Sequence, residues 1–262
     1  MSYVCLLNEL KLPEAAVRRL ERLEDLARIH KDLIEGLTRT ADAESSYKAL
    51  EKVLDGDDMA MLACQLHAAC LTRGYYREKG IADRVFLDTM GCFSRFLRET
   101  EHRTGKLCFD RGWWSYRQLS MRLFRIGQLE YELVAEPLVI SLHIPSDALL
   151  TAEAVDASLA EARVFLRDHF PAYAYAPIGC ESWLLSPSLR PYLGPDSRIR
   201  ALQDRFEVTH ADPEPKDVWE WLFRVPEETP VGELPEGTSL QRSVKQHLLA
   251  GGSIGVARGT MK

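Results

Sequence analysis

The chain has 262 residues, 46% of them hydrophobic and 27% charged, with a formal charge of −6 at pH 7. That supplies enough apolar material for one large core or two smaller ones. Its lysines and arginines are interleaved with acids, which argues against nucleic acid as a partner, and no run of ~18 apolar residues offers a membrane span.

The N-terminus lacks a charged segment followed by a long apolar core, so a cytoplasmic location is expected. Six cysteines, at 5, 64, 70, 92, 108 and 180, form no Cys-x-x-Cys and read as reduced thiols used as small apolar side chains. Cys64, His67 and Cys70 match zinc ligands in residue type only: the two cysteines lie about 240° apart around a helix and do not converge. No metal site is expected.

Residues 12–104 read as helical. Val17, Leu20, Leu23, Leu26, Leu33 and Leu37 return at three, four and seven residues, predicting one long helix after Pro13. Further helices are predicted over 44–54, 59–78 and 81–101, with short connections that favour an antiparallel bundle. The polar residues of this half show no convergent cluster, so the chemistry is expected later. At residues 102–106 the composition shifts. The predicted domains are therefore 1–104, helical, and 105–262, a mixed sheet with helices packed on it, an α+β chain overall.

The second half opens with a helix-period segment from Trp113, turns at Gly127, and then takes strand character over 129–133 and 138–144. In the second of these strands Leu138, Ile140, Leu142 and Ile144 point one way, while Val139, Ser141 and His143 point the other. Pro145 stops the ladder, and a helix follows from about Thr151 to His169. A strand that empties through a short loop into a helix N-terminus can hold an anion on backbone amides. Residues 177–185 read as a strand, 197–205 as a helix and 206–209 as the start of another strand. Val218 to Arg224 alternate Trp219, Trp221 and Phe223 against Glu220 and Leu222 and read as its pairing partner. A helix ending at Ala250-Gly251-Gly252 and a short strand around 254–257 complete the chain.

The glycines at 251, 252, 255 and 259 follow a helix and precede a strand, the reverse of a dinucleotide-binding loop. Ser182 lies in no Gly-x-Ser-x-Gly elbow; Cys180 or Ser182 with His143 leaves a thiol or serine hydrolase as a minor alternative. His143 and Glu181, titratable residues set among apolar strand residues, are the proton-handling candidates. They share a cleft only if their strands pair in the right register.

The order TG (104–105), WW (113–114), FRIGQLEYEL, LHIPSD, CESWLLSP, PDSRIRALQDRF, LPEGTSLQR and a last helix ending in AGG resembles bacterial acyltransferase-like proteins that join an N-terminal helical domain to a GNAT-like C-terminal domain. The resemblance covers essentially the whole chain. It implies an N-acyltransferase in which acyl-coenzyme A, as co-substrate, lies between two splayed central strands, 138–145 and 178–185. It places the pyrophosphate at residues 145–151, with Ile144, Pro145, Ser146 and Thr151 as contacts, and His143 and Glu181 as catalytic candidates. The acceptor implied is a small-molecule or peptide amine. The Gln/Arg-x-x-Gly-x-Gly/Ala phosphate signature usual in such folds does not occur between 145 and 151, and a non-catalytic binding module of the same fold is the alternative.

Overall fold

A computed structural model describes residues 3–214 and 216–262. The chain divides between Ile126 and Gly127 into two compact units, whereas the composition shifts at 102–106.

The first unit is a helical bundle followed by a short strand. Its helices are α1 (Tyr3–Glu9), α2 (Glu14–Leu20), α3 (Leu26–Ile29), α4 (Lys31–Leu37), α5 (Ala43–Val53), α6 (Asp58–Glu78), α7 (Asp83–Met90), α8 (Cys92–Thr104) and α9 (Gly112–Leu119), and β1 (Leu123–Ile126) ends it. The predicted long helix after Pro13 is broken into α2, a 3-10 turn at Glu21–Leu23, α3 and α4, because Glu24 and Asp25 interrupt the apolar stripe and His30 leaves helical geometry (φ −112°, ψ 28°). The helix predicted over 81–101 is two helices that share Gly91, the C-cap of one and N-cap of the other. Central α6 starts with Asp57 accepting the Met59 and Ala60 N–H groups, which satisfies donors the first turn would otherwise leave open. It buries Met59, Leu62, Cys64 and Leu66. His67 stacks on Tyr3 at 4.0 Å, and burial pushes the Cys64 thiol up to about 12.

The second unit holds β2 (Leu129–Val134), β3 (Val139–His143), α10 (Ala152–His169), β4 (Ile178–Ser182), α11 (Arg198–Gln203), β5 (Phe206–Asp212), α12 (Ser239–Leu249) and β6 (Val256–Met261). Its strands lie in the order β2-β3-β4-β6-β5. Only β3 and β4 run parallel; the other neighbours are antiparallel. The partner of β5 is β6, not 218–224. Trp219–Phe223 form a single π-helical turn, in which Trp219 and Phe223 are buried and the Trp219 indole N–H donates to the Thr229 carbonyl at 2.9 Å. An alternating aromatic run satisfies a buried turn as well as a strand when its rings need a second core to fill.

Register divides the sheet into two chemically different faces. Tyr131 lies opposite Leu142, Leu133 opposite Ile140, Ile140 beside Ile178, and Leu142 beside Cys180. These six residues share one face, and all are buried. Helix α10 covers that face: Ser158 and Tyr131 share a hydrogen bond of 2.9 Å, and the Leu129 N–H donates to Ser158 Oγ at 3.3 Å. Gly127 (φ +62°) lets the chain turn directly over Ser158, where a Cβ would lie 3.1 Å from the serine's own. A second cluster, around Trp183, Leu189, Val218, Trp219, Phe223 and Val244, forms a further core in this unit and takes Ile144 and Leu150 as partly buried members.

Candidate active site

The opposite face carries the polar chemistry. Glu130 is the register partner of His143 and Glu132 that of Ser141; Ser141 lies beside Gly179; Glu181 faces Arg258 and Gly179 faces Thr260. His143 and Glu181 therefore stand on one face of neighbouring strands, because each is the next same-face residue after the Ser141–Gly179 pair.

The matched residues of β3 and β4 are Ile140 with Ile178, Ser141 with Gly179 and Leu142 with Cys180. Both strands run on, β3 to His143 and β4 to Ser182, while β4 stays paired with β6 at Glu181 and Ser182. The parallel ladder thus stops where His143 and Glu181 begin. Beyond Leu142 and Cys180 the two strands share no matched pair, and the carboxyl end of parallel strands is a common ligand position.

Each candidate has a separate partner. His143 Nε2 lies 3.0 Å from Glu132 Oε2, with side-chain exposures of 23% and 10%. Glu181 Oε2 accepts two N–H groups of Arg258, from Nε at 2.7 Å and from a terminal nitrogen. Glu132 escaped the sequence reading, although a signal existed. Leu129, Tyr131 and Leu133 alternate with Glu130 and Glu132, and a hairpin with four residues between the strands fixes which of these lies near His143. Asp217 was also missed: burial, then the charges of Glu181 and Glu227, push its carboxyl above the usual range.

The loop after β3 leads to α10. Thr151 is the N-cap, in extended geometry (φ −68°, ψ 152°), its hydroxyl oxygen accepting the Ala154 N–H at 3.3 Å. Two loop amides are used within the protein: Ala148 N–H donates to the Pro145 carbonyl at 3.0 Å, and Leu149 N–H to Gln128 Oε1 at 2.8 Å. An anion here would meet the first two amides of α10, at Ala152 and Glu153, since that of Ala154 is taken by the Thr151 cap. Ile144 packs instead into the second core, so its side chain is an apolar wall, and Pro145, with no N–H, offers a carbonyl but no donor.

The hydrolase alternative loses its geometry. Cys180 is buried on the α10 face, beside Leu142 and away from His143, and burial pushes its thiol up to about 12. Ser182, two residues on, shares that face, and its Oγ accepts the Leu184 N–H at 3.2 Å. Neither reaches the imidazole on the far side of the sheet. Among the described residues no group of three His, Cys, Asp or Glu side chains could hold a metal ion, and no helix is long and apolar enough to cross a membrane.

Residues 123–261 match the GNAT-like C-terminal domain family, and residues 1–121 the N-acyltransferase N-terminal domain family. No curated protein sequence matches the chain. Among solved structures, an acyltransferase in complex with decanoyl-CoA and teicoplanin is similar with a TM-score of 0.83 and 26% identity, over 98% of this chain and 86% of that one. An acyltransferase in complex with CoA and 10C-teicoplanin is similar with the same TM-score and coverage at 25% identity. A further acyltransferase, in complex with decanoyl-CoA, matches over 100% of this chain and 99% of that one at 23% identity and a TM-score of 0.72, a likeness of fold.

Proposed function

Because the chain belongs to the family defined by a GNAT-like C-terminal domain, we propose that it is an N-acyltransferase that moves an acyl group from acyl-coenzyme A to the amine of a small-molecule acceptor. One observation carries the reading: the β3–β4 ladder ends where an imidazole bonded to a carboxylate stands on the polar face. The neighbours that bind decanoyl-CoA or CoA support the donor, and the two bound to teicoplanin or 10C-teicoplanin support an acceptor of small-molecule kind.

In this reading the thioester carbonyl lies between the carboxyl ends of β3 and β4. The acceptor nitrogen attacks the carbonyl carbon, a C–N bond forms, and the C–S bond breaks with its electron pair leaving on sulfur. The proton released by the nitrogen goes to His143, and the thiolate then takes a proton to leave as free coenzyme A. Ser146, Thr151 and the first amides of α10 meet the pyrophosphate, with Ile144 and Pro145 forming the apolar side of the loop. Asp147 in the loop and Glu153 in the first turn add negative charge, so phosphate binding relies on neutral N–H and O–H donors. Glu181, engaged by Arg258, handles a proton only in a conformation that releases the guanidinium.

The test couples binding to turnover. Acyl-coenzyme A at 100 times its dissociation constant should stabilise the protein by about 2.7 kcal/mol, and an amine panel should release free coenzyme A thiol in step with amide formation. Failure of acetyl-, octanoyl- and decanoyl-coenzyme A alike to stabilise the protein or to acylate any amine overturns the assignment.

A further inference from the structure

We propose that Glu132 is the positioning residue of this reaction: it holds His143 with Nε2 protonated, so that Nδ1 is the nitrogen that takes the acceptor's proton. The inference rests on the acyltransfer reading for its chemical consequence, and on the β2–β3 geometry for the tautomer itself.

The bond is set by the hairpin. Glu130 is the direct partner of His143, and Glu132 lies opposite Ser141, so the 3.0 Å contact runs diagonally between next-nearest residues of one face. Diagonal neighbours stand about 7–8 Å apart, a span that a glutamate and a histidine bridge together. Leu129, Tyr131 and Leu133 on β2 and Ile140 and Leu142 on β3 are buried behind these residues, which fixes both strands. A glutamate 10% exposed beside a histidine 23% exposed is also screened less than a surface pair.

The chemistry follows from donor and acceptor capacity. An ionised carboxylate only accepts, and a neutral imidazole carries one N–H and one lone pair. The nitrogen facing Glu132 must therefore donate, and the lone pair resides on the other nitrogen, Nδ1. When Nδ1 takes the proton during C–N bond formation, the positive charge spreads over a ring already bonded to a carboxylate. The charge-separated transition state is stabilised more than the neutral ground state, which is the condition for a rate effect. The imidazolium gives the proton up to the departing thiolate or to water, restoring the tautomer.

The test reads the ring directly and then the rate. Long-range nitrogen–proton NMR of the full chain, with the His143 signals assigned by their loss in H143N, should show a protonated Nε2 and an unprotonated Nδ1 at a pH where the ring is neutral. E132Q, which keeps an acceptor oxygen, should retain that tautomer; E132A should lower the Nε2-protonated share to that of a free ring, which holds both tautomers, and reduce kcat on the order of 10²-fold, with the acyl-coenzyme A KM held. In an H143N background E132A should add no further loss, since two residues acting as one unit are non-additive. An undiminished Nε2-protonated share in E132A, or an equal loss in both backgrounds, overturns the proposal. A shifted tautomer in a protein that acylates no amine leaves the Glu132–His143 pairing intact and overturns the acyltransfer reading instead.

Discussion

Leu142 and Cys180 are the last matched pair of the β3–β4 ladder, and the next residue on each strand is a proton-handling candidate, His143 or Glu181. One residue of register separates the buried face from the face that carries the chemistry. Leu142 and Cys180 are buried on the face that α10 covers, and His143 and Glu181 follow them on the opposite face, at the end of the parallel ladder.

His143 and Glu181 make different predictions because their partners differ. Replacing His143 with Asn should lower kcat by about 10²–10⁴-fold, the usual contribution of a general base, while far-ultraviolet circular dichroism and the melting midpoint stay near the parent. Glu181→Gln should retain most turnover, because the wild-type carboxylate is already bonded to Arg258. Transfer kinetics at saturating donor decide between them. Parental turnover in H143N removes the imidazole from the mechanism, and a loss confined to E181Q makes the carboxylate the base.

Cys180 tests the two-faced sheet. Burial pushes its thiol up to about 12, so the reactive thiolate is scarce at pH 8. Iodoacetamide should leave Cys180 unmodified in the native protein and label it in denaturant, as read by peptide mass spectrometry. Cys180→Ala should keep acyl transfer and lose on the order of 1 kcal/mol of stability for the buried atom removed. Rapid native labelling accompanied by loss of activity would mean that the thiol faces the reaction.

Much of this arrangement was legible in the residues. The alternation Leu138 to Ile144 exposed the polar face, and Pro145 and Thr151 marked the loop and cap, since period and turn chemistry are local properties. Glu132 was not legible as a partner, because pairing depends on register, and register is settled by the hairpin and by what the buried face packs against. Trp219 and Phe223 misled for a related reason: period-two aromatics describe a strand or a buried turn equally well, and the choice is made by the second core. The breaks at Gly91 and His30 lie inside apolar periodicity that continues across them, so only the tertiary path reveals the bends.

Asp217 gives the stability a pH dependence of definite sign. Burial first, then Glu181 and Glu227, raise its carboxyl in the folded state, so the folded chain holds that proton to higher pH than the unfolded chain does. The stability associated with this group is fully present below the ordinary carboxylate range near ~3.9 and falls as pH rises through the raised folded value. Asp217→Asn removes the loss. The variant should match the parent in urea unfolding at pH 3.5 and exceed it at pH 7. A variant less stable than the parent at pH 7 would show that the ionised carboxylate is held by favourable contacts that outweigh its burial.

Thr151 separates a structural from a binding role for the loop. Its hydroxyl caps α10 by accepting the Ala154 N–H, so Thr151→Ala should cost about 1 kcal/mol, a shift of a few degrees in melting midpoint. The same hydroxyl still has its own proton to donate, and a phosphate oxygen at the helix N-terminus is the acceptor the acyltransfer reading supplies. Thr151→Ala should therefore also raise the KM for acyl-coenzyme A by about 3–10-fold, the worth of one hydrogen bond of ~1 kcal/mol or slightly more, and Thr151→Ser should restore both properties. Thr238 is the control, because it caps α12 through a full capping box with Gln241 on a helix that the cofactor reading does not use. Thr238→Ala should lose similar stability and leave that KM unchanged. Equal KM changes in the two alanine variants would trace the effect to loosened helices, and an unchanged KM in Thr151→Ala would take residue 151 out of the coenzyme A contact.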